Sequence, residues 1–218
     1  PLARERSRAQ LQIDPQNVVI AVLPGSRASE VAIMLQPFLA ALRLLRDRLP
    51  QRKISAVIPC VNAARRSQIE ALLPQFADLS IKLIDNDARS ALIAADAALI
   101  KSGTSTLEAM LLGRPMVVSY KLGAFSYAIA SRLVNTPYIA LPNILAGAEL
   151  VPELIQEAAT PAALAQALML EIGEQRTAND RRAAFTELHE QLRGGASGLG
   201  ASAAAAQEIF KLLEARKG

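Results

Sequence analysis

The chain has 218 residues, 51% hydrophobic and 20% charged, which gives enough apolar length for one or two domains with a core and excludes a disordered chain. Aromatics are only 4% and Trp is absent, a balance that suits helices packed on a sheet better than a β-sandwich. A single cysteine, Cys60, excludes an intrachain disulfide, and the net charge of +4 comes from scattered Arg and Lys without interleaved aromatics. That pattern argues against nucleic acid as a partner and suits an anionic membrane surface or a phosphorylated ligand. No apolar run approaches the roughly 20 residues that span a bilayer, and the basic start, residues 1–8, is not followed by a signal-peptide core. The first residue is Pro1 and not Met, so an N-terminal part is expected to be missing.

Residues 17–23 are a β-branched apolar run that predicts a strand. Pro24-Gly25-Ser26-Arg27 makes a turn, with Ser26 placed to cap the helix that periodicity predicts over 30–49. A strand is expected over 53–61, carrying Cys60 as a buried structural thiol, then a polar helix over 63–73. A strand over 79–84, a short helix over 88–95, a strand over 97–100 and a helix over 107–112 closed by Gly113 follow. Further on the pattern predicts a strand over 116–120, an amphipathic helix over 124–134, a strand over 138–141 and a helix over 149–157. Pro161 opens another helix, to about residue 172. Residues 194–200 have the Gly-rich composition of a flexible joint, and 201–216 read as a closing Ala-rich helix. Strands alternating with helices at this rhythm imply βαβ units, and so an α/β fold: a Rossmann-like parallel sheet with helices on both faces. The domain covers residues 1–193, followed by the joint and last helix over 194–218, and no internal repeat is visible.

The stretch Ala97 to Met110 carries the most chemistry. A short strand feeds the small-residue turn Ser102-Gly103-Thr104, and a helix begins at once. Small side chains let a ligand approach the backbone, and the helix start presents unpaired N–H groups and a positive dipole end, which together favour phosphate. Glu108, one turn in, could reach a sugar hydroxyl beside a bound phosphate. The same residues also read as a capping box, Ser105-x-x-Glu108. Gly25-Ser26-Arg27 is a second turn of the same kind, in which Arg27 brings a fixed charge and a forked donor set; it also reads as a plain capped helix with an exposed arginine. Two such turns at the carboxyl ends of strands in one sheet point to a diphosphate site. No P-loop and no G-x-G-x-x-G fingerprint is present, which argues against ATPase and dinucleotide functions. Asp85-Asn86-Asp87 resembles a metal-holding D-x-D but also fits a solvated acidic turn. Asp96 is expected to cap or hydrogen-bond at a strand start. With His189 the only histidine, one chain builds neither a His-based triad nor a multi-His zinc site.

Six segments occur in order: Leu23-Pro-Gly-Ser-Arg-Ala-Ser-Glu-Val31, Val61-Asn-Ala-Ala-Arg-Arg66, Lys101-Ser-Gly-Thr-Ser-Thr-Leu-Glu108, Arg114-Pro-Met-Val-Val-Ser-Tyr120, Leu141-Pro-Asn-Ile-Leu-Ala-Gly147 and Glu149-Leu-Val-Pro-Glu-Leu-Ile-Gln156. Together they resemble the C-terminal half of bacterial lipid-A-disaccharide synthases, from about Val18 to the last helix. The resemblance implies the donor-binding domain of a GT-B glycosyltransferase whose N-terminal acceptor domain is absent. It implies transfer of 2,3-diacylglucosamine from UDP to the 6-hydroxyl of 2,3-diacylglucosamine 1-phosphate, with inversion and release of UDP, in lipid A biosynthesis. The setting it implies is the cytoplasmic face of the inner membrane of a Gram-negative bacterium, with the enzyme peripheral to that anionic surface. Gly25, Ser26, Arg27, Ser102, Gly103, Thr104, Ser105 and Glu108 then become UDP-site residues, and Asn143, Glu153 and Gln156 match motifs lining the donor cleft. No metal and no cofactor is implied, the general base is expected in the absent half, and family members pair as homodimers with exchanged segments. The readings kept beside it are another UDP-sugar GT-B enzyme, such as a UDP-N-acetylglucosamine epimerase or a peptidoglycan glycosyltransferase, a non-catalytic nucleotide-sugar binding module, and a basic RNA-binding Rossmann domain.

Overall fold

The computed structural model describes residues 2–121, 137–173, 175–193 and 200–215. Six strands form one parallel sheet: β1 (Val18–Leu23), β2 (Ile54–Cys60), β3 (Ser80–Asp85), β4 (Ala97–Lys101), β5 (Met116–Tyr120) and β6 (Glu153–Ile155), in the spatial order β3-β2-β1-β4-β5-β6. β1 is apolar at every position and buried at every position, as a strand covered on both faces must be. Its side chains alternate between two cores. Val18, Ile20 and Val22 face α2 (Ala28–Arg48), and Val19, Ala21 and Leu23 face the side covered by α4 (Ala88–Ala94) and α5 (Thr104–Leu111). On the same face as α2 lies α3 (Ala63–Glu70), capped by the Asn62 side chain, which accepts from the Arg65 N–H at 2.9 Å.

α2 is, by length and composition, apolar enough to cross a membrane, which the sequence reading did not anticipate. Its apolar stripe, including Met34, Phe38, Leu42 and Leu45, is instead buried against the sheet, together with Leu164 and Leu168 of a later helix over Pro161–Gly173.

Four expectations are corrected. Residues 138–141 form no strand; a helix, α6 (Leu141–Ala146), begins there with a proline in its first turn and ends at Gly147, which is left-handed at φ 64°. Residues 149–157 form no α-helix. Pro152 disfavours helix at Val151, and Glu153–Ile155 pairs with β5 through Val118↔Glu153 and Tyr120↔Ile155, so sheet pairing overrides local propensity. α5 begins at Thr104, three residues earlier than expected, with Gly103 as its N-cap, so Ser105 and Glu108 lie inside it and make no capping box. α2 is likewise capped at Arg27 and not Ser26. The expected helix over 124–134 and nearly all of the Gly-rich joint lie outside the described residues. Beyond α7 (Pro161–Gly173) come α8 (Gln175–Leu192), which carries His189 and buries Phe185 and Leu188, and α9 (Ala201–Ala215).

The basic start folds as a helix, α1 (Leu2–Gln10), fastened across the amino edge of the sheet. Arg8, only 4% exposed, donates to Asp96 at 2.7 Å and to the carbonyls of Ala94, Pro15 and Asn17. Asp96 also accepts from Arg4 and from the Val19 N–H, the strand-start role expected of it. Removing one partner of such a pair leaves a buried, uncompensated charge. Asp96→Ala should therefore lower the unfolding free energy by about 3–5 kcal/mol, measured by denaturant unfolding.

Candidate functional site

The strand order reverses between β1 and β4, and a cleft of about 650 Å³ opens there, beyond the carboxyl ends of the strands. The β1–α2 turn, from Gly25 to Arg27, forms one wall, and the β4–α5 turn, from Lys101 to Ser105 with Glu108, forms another. All eight turn and helix residues expected at a diphosphate site, Gly25, Ser26, Arg27, Ser102, Gly103, Thr104, Ser105 and Glu108, line it.

The first turn is shaped by a residue that sequence reasoning missed. The Glu30 carboxylate accepts the Ser26 N–H at 3.0 Å and the Arg27 N–H at 3.1 Å, and its other oxygen accepts Arg27 Nη1 and Lys101 Nζ, both at 3.1 Å. The signal was visible as a glutamate three residues after the N-cap. Gly25 is required because its φ is +118° and because a Cβ there would sit 2.6 Å from the Glu30 Cβ and carboxylate. The amides of this turn are thus occupied from within. What it offers to the cleft is the Arg27 side chain, 80% exposed.

Lys101 is 13% exposed, paired with Glu30 and 4.7 Å from the Tyr120 ring centroid. Next to it the second turn remains open. Thr104 and Ser105 are the first residues of α5, and amides at those positions have no intrahelical acceptor. Thr106 Oγ1 turns back to the Gly103 carbonyl at 2.7 Å. Arg27, Lys101 and this helix start give the cleft a positive end.

The remaining wall comes from the ends of β2 and β3, Pro59 to Val61 and Asn86 to Arg89, which the sequence reading did not assign to the site. Asn86 is left-handed at φ 49°, and Asp87 caps α4 by accepting the Ser90 N–H at 2.9 Å. Asp85 pairs with Arg66 at 2.8 Å. Among the described residues no group of three or more His, Cys, Asp or Glu is placed to hold a metal ion. Cys60 is buried at this wall, as expected of a structural thiol, and burial raises its pKa.

Asn143, Glu153 and Gln156 do not line the cleft. Asn143 is fully buried; its Nδ2 donates to Val151 and Glu153, and its Oδ1 accepts the Leu150 and Val151 N–H groups. Gln156 follows β6 at the same carboxyl edge, left-handed at φ 51°, and opens a 3-10 turn, Gln156–Ala158.

The sheet order and cleft define a Rossmann-like α/β domain, and solved glycosyltransferases share it. The fold matches a glycosyltransferase from Rickettsia africae with a TM-score of 0.63 at 10% identity, over 98% of this chain and 52% of that one. It matches the wall teichoic acid polymerase TagF with a TM-score of 0.55 at 15% identity, over 99% and 47%. The chain belongs to the lipid-A-disaccharide synthetase (LpxB) family, whose model matches residues 2–206. It is 45% identical to the lipid-A-disaccharide synthase of Erwinia tasmaniensis over 92% of this chain and 52% of that protein. With the synthase of Sodalis glossinidius it shares 49% identity, over 86% and 49%. The chain spans about half the length of the curated relatives it matches.

Burial works to raise the Glu30 pKa, but the Arg27 amide, Lys101 and the Ser26 amide outweigh it, and the net shift is downward. A depressed carboxylate stabilises the fold above its unfolded pKa of about 4.3, and that stability is lost as pH falls through the folded value. The wild type should accordingly exceed Glu30→Gln in stability at pH 7, and the gap should shrink below about pH 4 in denaturant titrations across pH. A gap independent of pH would detach the Glu30 charge from the turn.

Proposed function

We propose that this chain is the UDP-binding, C-terminal half of an inverting glycosyltransferase of lipid A biosynthesis. The whole enzyme moves 2,3-diacylglucosamine from UDP to the 6-hydroxyl of 2,3-diacylglucosamine 1-phosphate. The observation that carries this reading is the pair of strand-to-helix turns meeting across one cleft at the sheet's reversal point, with Arg27, Lys101 and the open start of α5 around it. Family membership and the relatives' names support the substrate classes.

Breaking the anomeric bond builds negative charge on the departing diphosphate, and donors held ready for that charge lower the barrier. Arg27 offers a charged fork, and the Thr104 and Ser105 amides offer donors at the positive end of a helix. Lys101 keeps two further N–H donors beyond the one given to Glu30. Glu108, exposed one turn along α5, suits the ribose hydroxyls. The base that deprotonates the acceptor hydroxyl belongs to the other half of the enzyme, at the cytoplasmic face of the inner membrane. The apolar residues Ile209, Phe210, Leu212 and Leu213 of α9 are all more than half exposed, which suits a helix exchanged between the subunits of a homodimer.

Titration calorimetry should detect UDP binding by this chain, and Arg27→Ala should weaken it by about 1.5–3 kcal/mol. Unchanged UDP affinity in that variant would remove Arg27 from the site. The chain alone should form no disaccharide from the two acylated sugars, and product formation by the purified chain would overturn the division of labour between halves.

A further inference from the structure

Ser102 joins the cleft to a segment that does not line it. Its Oγ donates to the Ile139 carbonyl at 2.7 Å, and its N–H donates to the Ser119 carbonyl at 2.9 Å. Around Gly103 itself there is open space, since a side chain there would meet nothing nearer than the Lys101 carbonyl at 4.0 Å. Beside the Ser102 N–H bond and the Thr106 hydroxyl bond to the Gly103 carbonyl, the Ser102 hydroxyl is the restraint that reaches outside the sheet and α5, and it is as firm as the carbonyl it reaches.

That carbonyl sits on residues 137–140, which have no regular secondary structure and so no ladder to fix them. The Glu153 carboxylate supplies the fixing instead. One oxygen accepts the Ile139 N–H at 2.9 Å; the other accepts the Ala140 N–H at 2.9 Å and Asn143 Nδ2 at 2.7 Å. Such bonds to an ionised acceptor are shorter and stronger than neutral ones. Asn143, in turn, is locked by the backbone of Leu150 and Val151. β6 pairs with β5, so the chain of contacts ends in the sheet itself.

We infer that Glu153 and Asn143 are positioning residues. They immobilise Ile139, Ile139 holds Ser102, and Ser102 sets the direction in which the Gly103–Ser105 amides face the cleft. Neither side chain touches the ligand. The inference rests on the diphosphate reading of the cleft for its functional meaning, and on the hydrogen bonds alone for its structural content.

The test compares wild type, Ser102→Ala, Glu153→Gln and the double variant, each titrated with UDP by calorimetry. Each single change should weaken binding about 3- to 10-fold, and the double variant should bind no more weakly than the poorer single one, because both cut the same relay. Additive losses, or a folded Glu153→Gln with wild-type affinity, overturn the proposal. Without ligand, Glu153→Gln should shift the Thr104 and Ser105 amide resonances in the same direction as Ser102→Ala, and unmoved resonances overturn it. This second measurement keeps the relay testable should the wild type fail to bind UDP, a result that would count against the donor reading alone. If Glu153→Gln does not fold, Ser102→Ala decides alone: its UDP affinity should fall with little change in melting temperature, and unchanged affinity overturns the relay.

Discussion

The Glu30 carboxylate is the point at which the two walls of the cleft are joined. It gathers two backbone amides of the β1–α2 turn, the Arg27 guanidinium and the Lys101 ammonium from the end of β4. A half-buried carboxylate is stable only with such partners, and Lys101 at 13% exposure needs the same counter-charge. The conformation of Gly25, the outward aim of Arg27 and the spacing between the turns follow from this one group. Because the amides of the first turn are already taken, the capacity to hold an anion shifts to side-chain cations and to the start of α5.

The sheet places that junction. Strand order reverses between β1 and β4, so the loops leaving these two strands diverge to opposite faces and leave a crevice between them. At the other pole, the amino edge, Arg8 and Asp96 close the domain with a buried ion pair and bonds to three carbonyls. One end of the sheet is thus closed by the Arg8–Asp96 pair, while the other keeps donors open to solvent.

The legible parts of the sequence were those governed by local period and turn chemistry. β1 to β5 announce themselves as short apolar runs, and both cleft turns follow from small residues set between a strand and a helix. The illegible parts depend on distant partners. α1 is basic and weakly apolar, and it is anchored by an aspartate 88 residues away. β6 is three residues long and exists because β5 offers an edge. For Asn143 and Glu153, motif resemblance singled out the residues, but only the fold displays their partners, which are backbone groups of 139–140 and 150–151. The β2 and β3 walls of the cleft, Pro59 to Val61 and Asn86 to Arg89, touch two of the motifs read in the sequence, at Val61 and at Asn86-Asp87, but neither motif pointed to this cleft; their membership is decided by strand order.

Cys60 closes β2 at the rim of the crevice and is the sole thiol of the chain. Its Sγ points back to the Ile58 carbonyl, and burial keeps it protonated, so electrophiles meet it only when the end of β2 breathes. Alkylation kinetics at this one atom therefore amount to a built-in clock for local opening, and any occupant that stiffens the rim would slow it without a single substitution.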